Sequence, residues 1–222
     1  MSLNDVRADI VDACHRLEAG DLVAGASGNV SVRLPPADGR ELLAITPSQI
    51  SYRILRPDQI LVVDLDGGKV VDGDGRPSSE MRTHLAAYRA RPDVGAVIHS
   101  HSVYASALAI ANQGIPALID EQVVTLGGEV RVAEYGMSAS YDLANNAMEA
   151  MGETQAVLLR NHGALSVGRD LEEVLAVAAL LERIAKTYLL ARTVGDIEPL
   201  PANVVEIEAK FFRMQHGLPV DK

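Results

Sequence analysis

The sequence predicts an α/β domain with a mixed or mainly antiparallel sheet. Helix-like and strand-like segments follow one another along the chain, and two β-hairpins occur in its first third. Consecutive hairpins pair strands antiparallel, unlike the strands of a doubly wound parallel sheet. No linker, repeat or low-complexity tract divides the 222 residues, so we expect one domain over residues 1–222.

Hydrophobic periodicity and turn residues define the elements in order. Between residues 3 and 19 the apolar side chains lie on one helical face, which Gly20 ends. Two hairpins follow, the first with strands through Val30–Leu34 and 42–46 and the second over 60–75. Next come a serine-capped helix over 78–93, a buried strand over 94–102 and a helix over 103–114. The last predicted elements are a helix over 141–152, two strands over 156–168 broken at His162-Gly163, and a long apolar helix over 171–192 capped by Asp170.

Composition excludes several classes of protein. The formal net charge is −10 and no Lys/Arg block is present, so we expect no nucleic-acid partner. No stretch approaches the roughly 20 apolar residues of a membrane span. The acidic N-terminal segment is not a signal peptide, and Cys14 is the only cysteine, so a cytoplasmic location is expected.

Two histidines follow a short apolar run in "VIHSHS". Residues i and i+2 of a strand point to the same side, so His99 and His101 can face one metal ion. His162 ends another apolar run and precedes Gly163, which makes it the best candidate for a third ligand. The alternative is that the strand histidines pair only with backbone groups. Three imidazoles with an open position predict a catalytic divalent site, with Zn²⁺ expected and Mn²⁺, Co²⁺ or Fe²⁺ also compatible.

A carboxylate lies at the predicted start of the helix over 78–93. Ser78 and Ser79 are placed where unpaired N–H groups favour an anion, although they could be ordinary N-cap residues. Glu80 follows them and would be a general acid/base if it lies beside the metal. Its alternative role is that of a partner for the helix dipole.

Two further loops are rich in small and hydroxyl residues. "ASGNVS" offers N–H groups from Gly28 and Asn29, and "ITPSQI" offers the hydroxyls of Thr46 and Ser48. Each loop alone could be a simple turn. If both loops lie beside the start of the helix over 78–93 and the predicted metal site, together they would form an anion-binding pocket.

The chain resembles the class II aldolase/adducin family. The resemblance runs from about Val6 to about Leu190 and rests on the segments "GASGNVSVR", "ITPSQI", "RPSSE", "RPDVGAVIHSHS" and "RNHGALSVG". It implies a three-layer α/β/α domain with a core at about 6–190 and a C-terminal tail at about 196–222. It also implies a C4 homotetramer with active sites between subunits.

The resemblance implies roles for particular residues. In the aldolases of the family, the residues matching His99, His101 and His162 bind Zn²⁺, and the residue matching Glu80 is the acid/base and a metal ligand in the substrate-free state. The substrate phosphate is held by the residues matching Gly28, Asn29, Thr46, Ser78 and Ser79.

The activity implied is one of carbohydrate metabolism. A keto-sugar 1-phosphate such as L-fuculose 1-phosphate is reversibly cleaved to dihydroxyacetone phosphate and an aldehyde, through a metal-stabilised enediolate. The family also contains dehydratases, decarboxylases, 4-epimerases and non-catalytic adducin-like assembly modules, which are the alternatives.

This sequence departs from the fuculose-cleaving members at the aldehyde end of the substrate. They have a tyrosine after the motif matching Ile115-Pro116-Ala117 and another in the C-terminal tail, where this chain has neither. Glu121 lies in the first of these regions. It could be a second acid/base, as in the dehydratase branch, or a loop carboxylate in a subunit contact.

Overall fold

A computed structural model describes residues 2–220 and contains seven α-helices in that range. They are α1 (Leu3–Ala19), α2 (Met81–Ala90), α3 (Val103–Ile110), α4 (Asp120–Leu126), α5 (Tyr141–Met151), α6 (Leu171–Val194) and α7 (Ala202–Gln215). Of these helices, none is both long and apolar enough to cross a membrane.

Eight strands form one sheet in the order β4-β3-β2-β1-β5-β8-β7-β6. All neighbouring strands are antiparallel except β6 and β7, so the predicted mixed, mainly antiparallel sheet is confirmed. The strands are β1 (Asn29–Ala37), β2 (Arg40–Ile45), β3 (Leu61–Asp64), β4 (Val70–Asp72), β5 (Ala96–Ser100), β6 (Val132–Ala133), β7 (Ala156–Leu159) and β8 (Gly163–Gly168).

Helices cover both faces of the sheet, which confirms the three-layer α/β/α class. The central strand β5 is buried along its whole length. Because side chains alternate along a strand, Ile98 packs with residues of α1 and α6 on one face, and Val97 packs with residues of α2 and α5 on the other. Helix α3 lies against α6, β7 and β8. Strand β5 therefore lies between two hydrophobic layers, one on each face of the sheet.

The start of α2 differs from the prediction. The helix begins at Met81, and Glu80 occupies the position before it, with no side-chain cap. The predicted serine-capped start with Glu80 in the first turn was wrong. The cause is a tertiary contact: the N–H of Ser78 donates to the carbonyl of Thr46 at 3.0 Å. This bond ties the segment to the loop after β2 instead of letting it continue the helix.

Two helices were not predicted from the sequence. The segment that carries Glu121 is helix α4 rather than a loop. The predicted C-terminal tail contains α7, which packs on α4 and buries Phe212. The extent of the domain, residues 1–222, stays a prediction.

Candidate metal centre

His99 is positioned by the centre of the sheet. It lies on β5, opposite Asn29 of β1 and Leu165 of β8. Its Nδ1 is 2.9 Å from the carbonyl oxygen of Ala164. Because a carbonyl only accepts, Nδ1 carries the ring proton and Nε2 presents a lone pair on the other side.

His101 follows the end of β5 instead of lying on it. Its N–H donates to the carbonyl of Leu22 at 3.1 Å, which fixes the turn. The next residues start α3, and the carboxylate of Glu182 accepts the N–H groups of Tyr104 and Ala105, both at 2.9 Å. The turn brings Nε2 of His101 to 2.9 Å from Nε2 of His99.

His162 lies in the tight turn between β7 and β8. Asn161 before it has a positive φ of 56°. After it, a Cβ on Gly163 would come within 2.4 Å of the carbonyl oxygen of Ser100, so only glycine fits against β5 here. The turn places the ring of His162 4.7 Å from that of His99, centroid to centroid.

Glu80 faces the three histidines from the start of α2. Its Oε2 lies 2.7 Å from Nε2 of His99, and its Oε1 lies 3.0 Å from Nε2 of His162. The hydroxyl of Ser138 donates to Oε1 at 2.6 Å. Glu80 is buried, so its charge is compensated by these neighbours rather than by bulk water.

The chemistry of this donor set fits a divalent cation. One ligand atom from each of Glu80, His99, His101 and His162 lies within 4.8 Å of the others. Tetrahedral Zn²⁺ with bonds of about 2.0–2.1 Å separates its ligand atoms by about 3.3 Å. The lone pair of His99 Nε2 points at a carboxylate oxygen, and such a contact needs a cation or an added proton between the atoms. The four side chains could therefore hold a metal ion.

The protonation of these groups favours the same interpretation. Burial raises the pKa of Glu80, but contacts with His162, His99 and Ser138 lower it by more, so this pKa is held well below its usual range. Burial, together with the nearby His99 and His162, lowers the pKa of His101 to about 4. At neutral pH the cluster thus combines an anionic carboxylate with a neutral imidazole, both able to bind a cation.

The residues predicted to bind phosphate converge on the same end of the sheet. A Cβ on Gly28 would lie 2.7 Å from the carbonyl oxygen of His99, so this loop touches β5 directly. Asn29 is buried with its Nδ2 3.5 Å from Oε2 of Glu80. Thr46 is hydrogen-bonded through its backbone to Val30 and is likewise buried.

The two serines of this set differ in exposure. The hydroxyl of Ser78 is buried and accepts the N–H of Glu80 at 3.2 Å. Ser79 is exposed. The predicted ligand roles stay predictions, but the described fold brings their residues together around Glu80.

Glu121 lies apart from this cluster. It is exposed on α4 and pairs with Arg183 of α6. It is not among the described residues grouped around the possible metal position.

Two contacts of the site were missed by the sequence analysis. Ser138, in the segment between β6 and α5, carried no motif. His84, inside α2, carried no motif either, yet its Nε2 hydrogen-bonds Oδ1 of Asn29. The spacing of Glu80 and His84, four residues apart on one helix face, was the available signal for the second contact.

Comparison with known proteins defines the family. The family profile "Class II Aldolase and Adducin N-terminal domain" matches residues 8–189. A 5-deoxy-D-ribulose 1-phosphate aldolase of Bacillus thuringiensis is 34% identical over 214 residues, covering 96% of this chain and 97% of that protein. An L-fuculose phosphate aldolase of Escherichia coli K12 is 34% identical over 200 residues, 90% of each chain.

A solved structure of an L-fuculose 1-phosphate aldolase is also similar to this fold. It superposes with a TM-score of 0.88 at 37% identity, covering 96% of this chain and 98% of that one. The chain belongs to the class II aldolase and adducin family, as the sequence predicted. The prediction of a class II aldolase, a carbon–carbon lyase, is confirmed at this level. Class II aldolases depend on a metal, and this chain has a cluster that could hold one.

Proposed function

We propose that the protein is a zinc-dependent aldolase. It reversibly cleaves a ketose 1-phosphate related to L-fuculose 1-phosphate into dihydroxyacetone phosphate and an aldehyde. The observation that carries the proposal is the convergence of Glu80, His99, His101 and His162 within 4.8 Å. The residues predicted to bind phosphate lie next to this group. The relatives named for 5-deoxy-D-ribulose 1-phosphate and L-fuculose phosphate support this class of substrate.

The three histidines and Glu80 would hold the metal. A bound divalent cation would supply Lewis-acid stabilisation for the negative charge that the reaction places on the substrate's oxygen atoms. Zn²⁺ is proposed because three imidazoles and a carboxylate match its usual ligands, although Mn²⁺, Co²⁺ or Fe²⁺ could occupy the same set.

The phosphate group would anchor the substrate. Gly28 and Asn29 would donate N–H groups, and Thr46, Ser78 and Ser79 would donate hydroxyls. Four of these residues are buried or half-buried, so few water molecules compete for the same donors. A phosphate fixed there would leave the carbon chain pointing toward Glu80 and the histidines.

Glu80 would move the proton of the reaction. When the bond between C3 and C4 of the ketose breaks, its electron pair stays with the three-carbon fragment. That fragment must gain a proton on carbon to become dihydroxyacetone phosphate. The hydroxyl on C4 loses a proton as it becomes the aldehyde carbonyl, and this loss balances the proton that C3 gains. Glu80 lies between the histidines and Asn29, where its carboxylate would take up a proton and pass it to C3 in cleavage, and would remove it from C3 in the reverse direction.

The active protein is proposed to be a C4 homotetramer in the cytoplasm. Large apolar side chains remain exposed on the single chain, among them Val103, Ile110, Tyr135 and Met137. Such residues suit burial against a second copy. Light scattering after size-exclusion chromatography should give four times the chain mass, and a monomer would contradict this part of the proposal.

The experiment that tests the reaction is direct. Metal-loaded protein is incubated with L-fuculose 1-phosphate and 5-deoxyribulose 1-phosphate, and dihydroxyacetone phosphate is measured. The expected result is release that stops when the metal is chelated. A product lighter by one water would indicate a dehydratase, and one lighter by CO₂ would indicate a decarboxylase. An epimer of unchanged mass would indicate a 4-epimerase. An empty site that no divalent metal fills would instead indicate an adducin-like assembly module.

A further inference from the structure

A chain of buried polar groups leads from the protein core to Asn29. His84 of α2 has no exposed surface. Its Nε2 contacts Oδ1 of Asn29, and its Nδ1 lies 2.6 Å from the hydroxyl of Ser31. That hydroxyl lies 2.9 Å from the hydroxyl of Tyr88, which is itself buried.

With Oδ1 of Asn29 toward His84, only one arrangement of protons uses every contact in this series of hydrogen-bonded groups. Tyr88 donates to Ser31, Ser31 donates to Nδ1 of His84, and Nε2–H of His84 donates to Oδ1 of Asn29. The amide NH₂ of Asn29 then faces Oε2 of Glu80, 3.5 Å away. All four donors point toward the candidate active site.

The reversed arrangement conflicts with the surroundings. If Nδ1 of His84 carried the proton, Asn29 would have to turn its NH₂ to His84 and its carbonyl oxygen to the carboxylate of Glu80. Two acceptors would then face each other. The hydroxyl of Tyr88 would also lose the acceptor that Ser31 provides, and a buried donor without an acceptor is costly.

We propose that His84 is a positioning residue that locks the side-chain amide of Asn29 with its NH₂ group toward the active site, so that Asn29 is a ready donor to the substrate's phosphate. The inference rests on the proposed function, in which Asn29 binds that phosphate. It adds that the orientation of Asn29 is imposed from the core, through His84, Ser31 and Tyr88.

The electrostatics of His84 agree with this role. Burial lowers the pKa of His84 to about 3, with a smaller contribution from His99. The ring is therefore neutral and carries a single proton at neutral pH. A neutral ring must choose one nitrogen as donor, and the contacts with Ser31 and Asn29 determine the choice.

The test measures the binding of inorganic phosphate by calorimetry, together with KM and kcat for the ketose 1-phosphate. His84→Leu puts an apolar side chain of similar size in the core and removes the hydrogen bond to Oδ1 of Asn29. Phosphate binding should weaken about 10-fold or more, the usual scale for one hydrogen bond to a charged group. KM should rise by a similar factor, with a smaller change in kcat and an unchanged metal content.

A double-mutant cycle separates positioning from a general loss of structure. If His84 acts through Asn29, then His84→Leu should have no further effect on phosphate binding in an Asn29→Ala background. Effects that simply add would overturn the proposal, as would a His84→Leu protein that binds phosphate like the wild type. His84→Gln, whose amide NH₂ can still donate to Asn29, should restore most of the binding.

A milder variant covers the case in which His84→Leu does not fold. Ser31→Ala removes the hydroxyl that fixes the proton on Nε2 of His84, and phosphate binding should weaken about threefold, again only when Asn29 is present. An equal loss without Asn29 would contradict the proposal.

Direct binding also distinguishes this inference from the reaction proposed above. Wild-type protein that binds phosphate through His84 and Asn29 but cleaves no ketose 1-phosphate would reject the proposed reaction alone. If the wild type cleaves the substrate and His84→Leu binds phosphate as tightly as the wild type does, only the inference about His84 is rejected. Wild type that neither binds phosphate nor cleaves the substrates would reject both.

Discussion

The hydroxyl of Ser138 donates a 2.6 Å hydrogen bond to Oε1 of Glu80, the oxygen that also lies 3.0 Å from Nε2 of His162. Ser138 belongs to the segment between β6 and α5, whereas Glu80 immediately precedes α2 and His162 lies between β7 and β8. Three distant segments therefore fix one carboxylate oxygen. This contact limits how the proposed acid/base can rotate.

Removing the hydroxyl of Ser138 should slow the reaction without emptying the metal site. We expect Ser138→Ala to lower kcat about 10-fold, since one hydrogen bond to a charged group is lost while all four possible ligands remain. Steady-state kinetics and metal analysis measure the two effects. Ser51→Ala, at a position with no side-chain cap hydrogen bond, is the matched control. An unchanged kcat in Ser138→Ala would mean that Glu80 is held well enough by the histidines.

Glu80→Gln should preserve metal binding but lower turnover by at least about 10²-fold, the usual contribution of a general acid/base. The amide keeps the size of the side chain and loses its ability to exchange a proton. Metal content and kcat are measured on the same preparation, with the exposed Glu129→Gln variant as control. Full activity in Glu80→Gln would show that another group handles the proton.

His162→Ala should lose the metal. Alanine removes an imidazole outright and leaves two imidazoles with Glu80, whereas Glu80→Gln keeps all three imidazoles, so metal affinity should fall much more in His162→Ala. Elemental analysis after dialysis gives the occupancy, and His15→Ala on the exposed face of α1 is the control. If occupancy is unchanged, His162 is not a ligand.

Gly28→Ala should destabilise the protein much more than Gly25→Ala. Both glycines have a positive φ, 75° and 65°, so each alanine carries a backbone cost of about 1 kcal/mol. Only at Gly28 would the new Cβ meet other atoms, at 2.6 Å from Val23 and 2.7 Å from the carbonyl of His99. This overpacking should add about 1–3 kcal/mol, measurable by urea unfolding. Equal losses in the two variants would show that the loop moves away freely.

His84 should make the stability of the metal-free protein depend on pH. Burial lowers its pKa in the fold to about 3, from about 6.5 for a histidine exposed to water. The unfolded chain therefore binds a proton below about pH 6.5 that the folded chain does not, and stability is lost as the pH falls. Between pH 8 and pH 5 this loss is about 2 kcal/mol. Urea titrations of wild type and His84→Leu should show a shallower loss in the variant, and parallel pH profiles would contradict the assignment.

The sequence predicted the parts of the fold that depend on local patterns. Alternating residues predicted the strand around Val30, and a short apolar run predicted the buried strand around Ile98. Asp170 was correctly expected to cap α6, since it accepts the N–H of Glu173. Helix α4 was missed because it has only seven residues, too few for a clear helical periodicity, although the two acids in its first turn favour a helix start. The start of α2 was misplaced because a tertiary contact with Thr46 overrides the local serine signal.

The site was predictable where residue type alone signals chemistry. Histidines at the ends of apolar runs and a glutamate after two serines are unusual enough to single out His99, His101, His162 and Glu80. Ser138 could not be found in this way, because a serine in a loop is common and its contact depends on how the segments fold together. Their functional roles stay predictions until the variants are measured.

The hydrogen bond from Nδ1 of His99 to the carbonyl of Ala164 has an evolutionary consequence. Because the acceptor belongs to the main chain, exchange of the side chain at position 164 for another small residue leaves it in place. Genetic drift at that position could therefore proceed without disturbing which nitrogen of His99 carries its hydrogen. Related chains that differ at this residue should share the same imidazole tautomer.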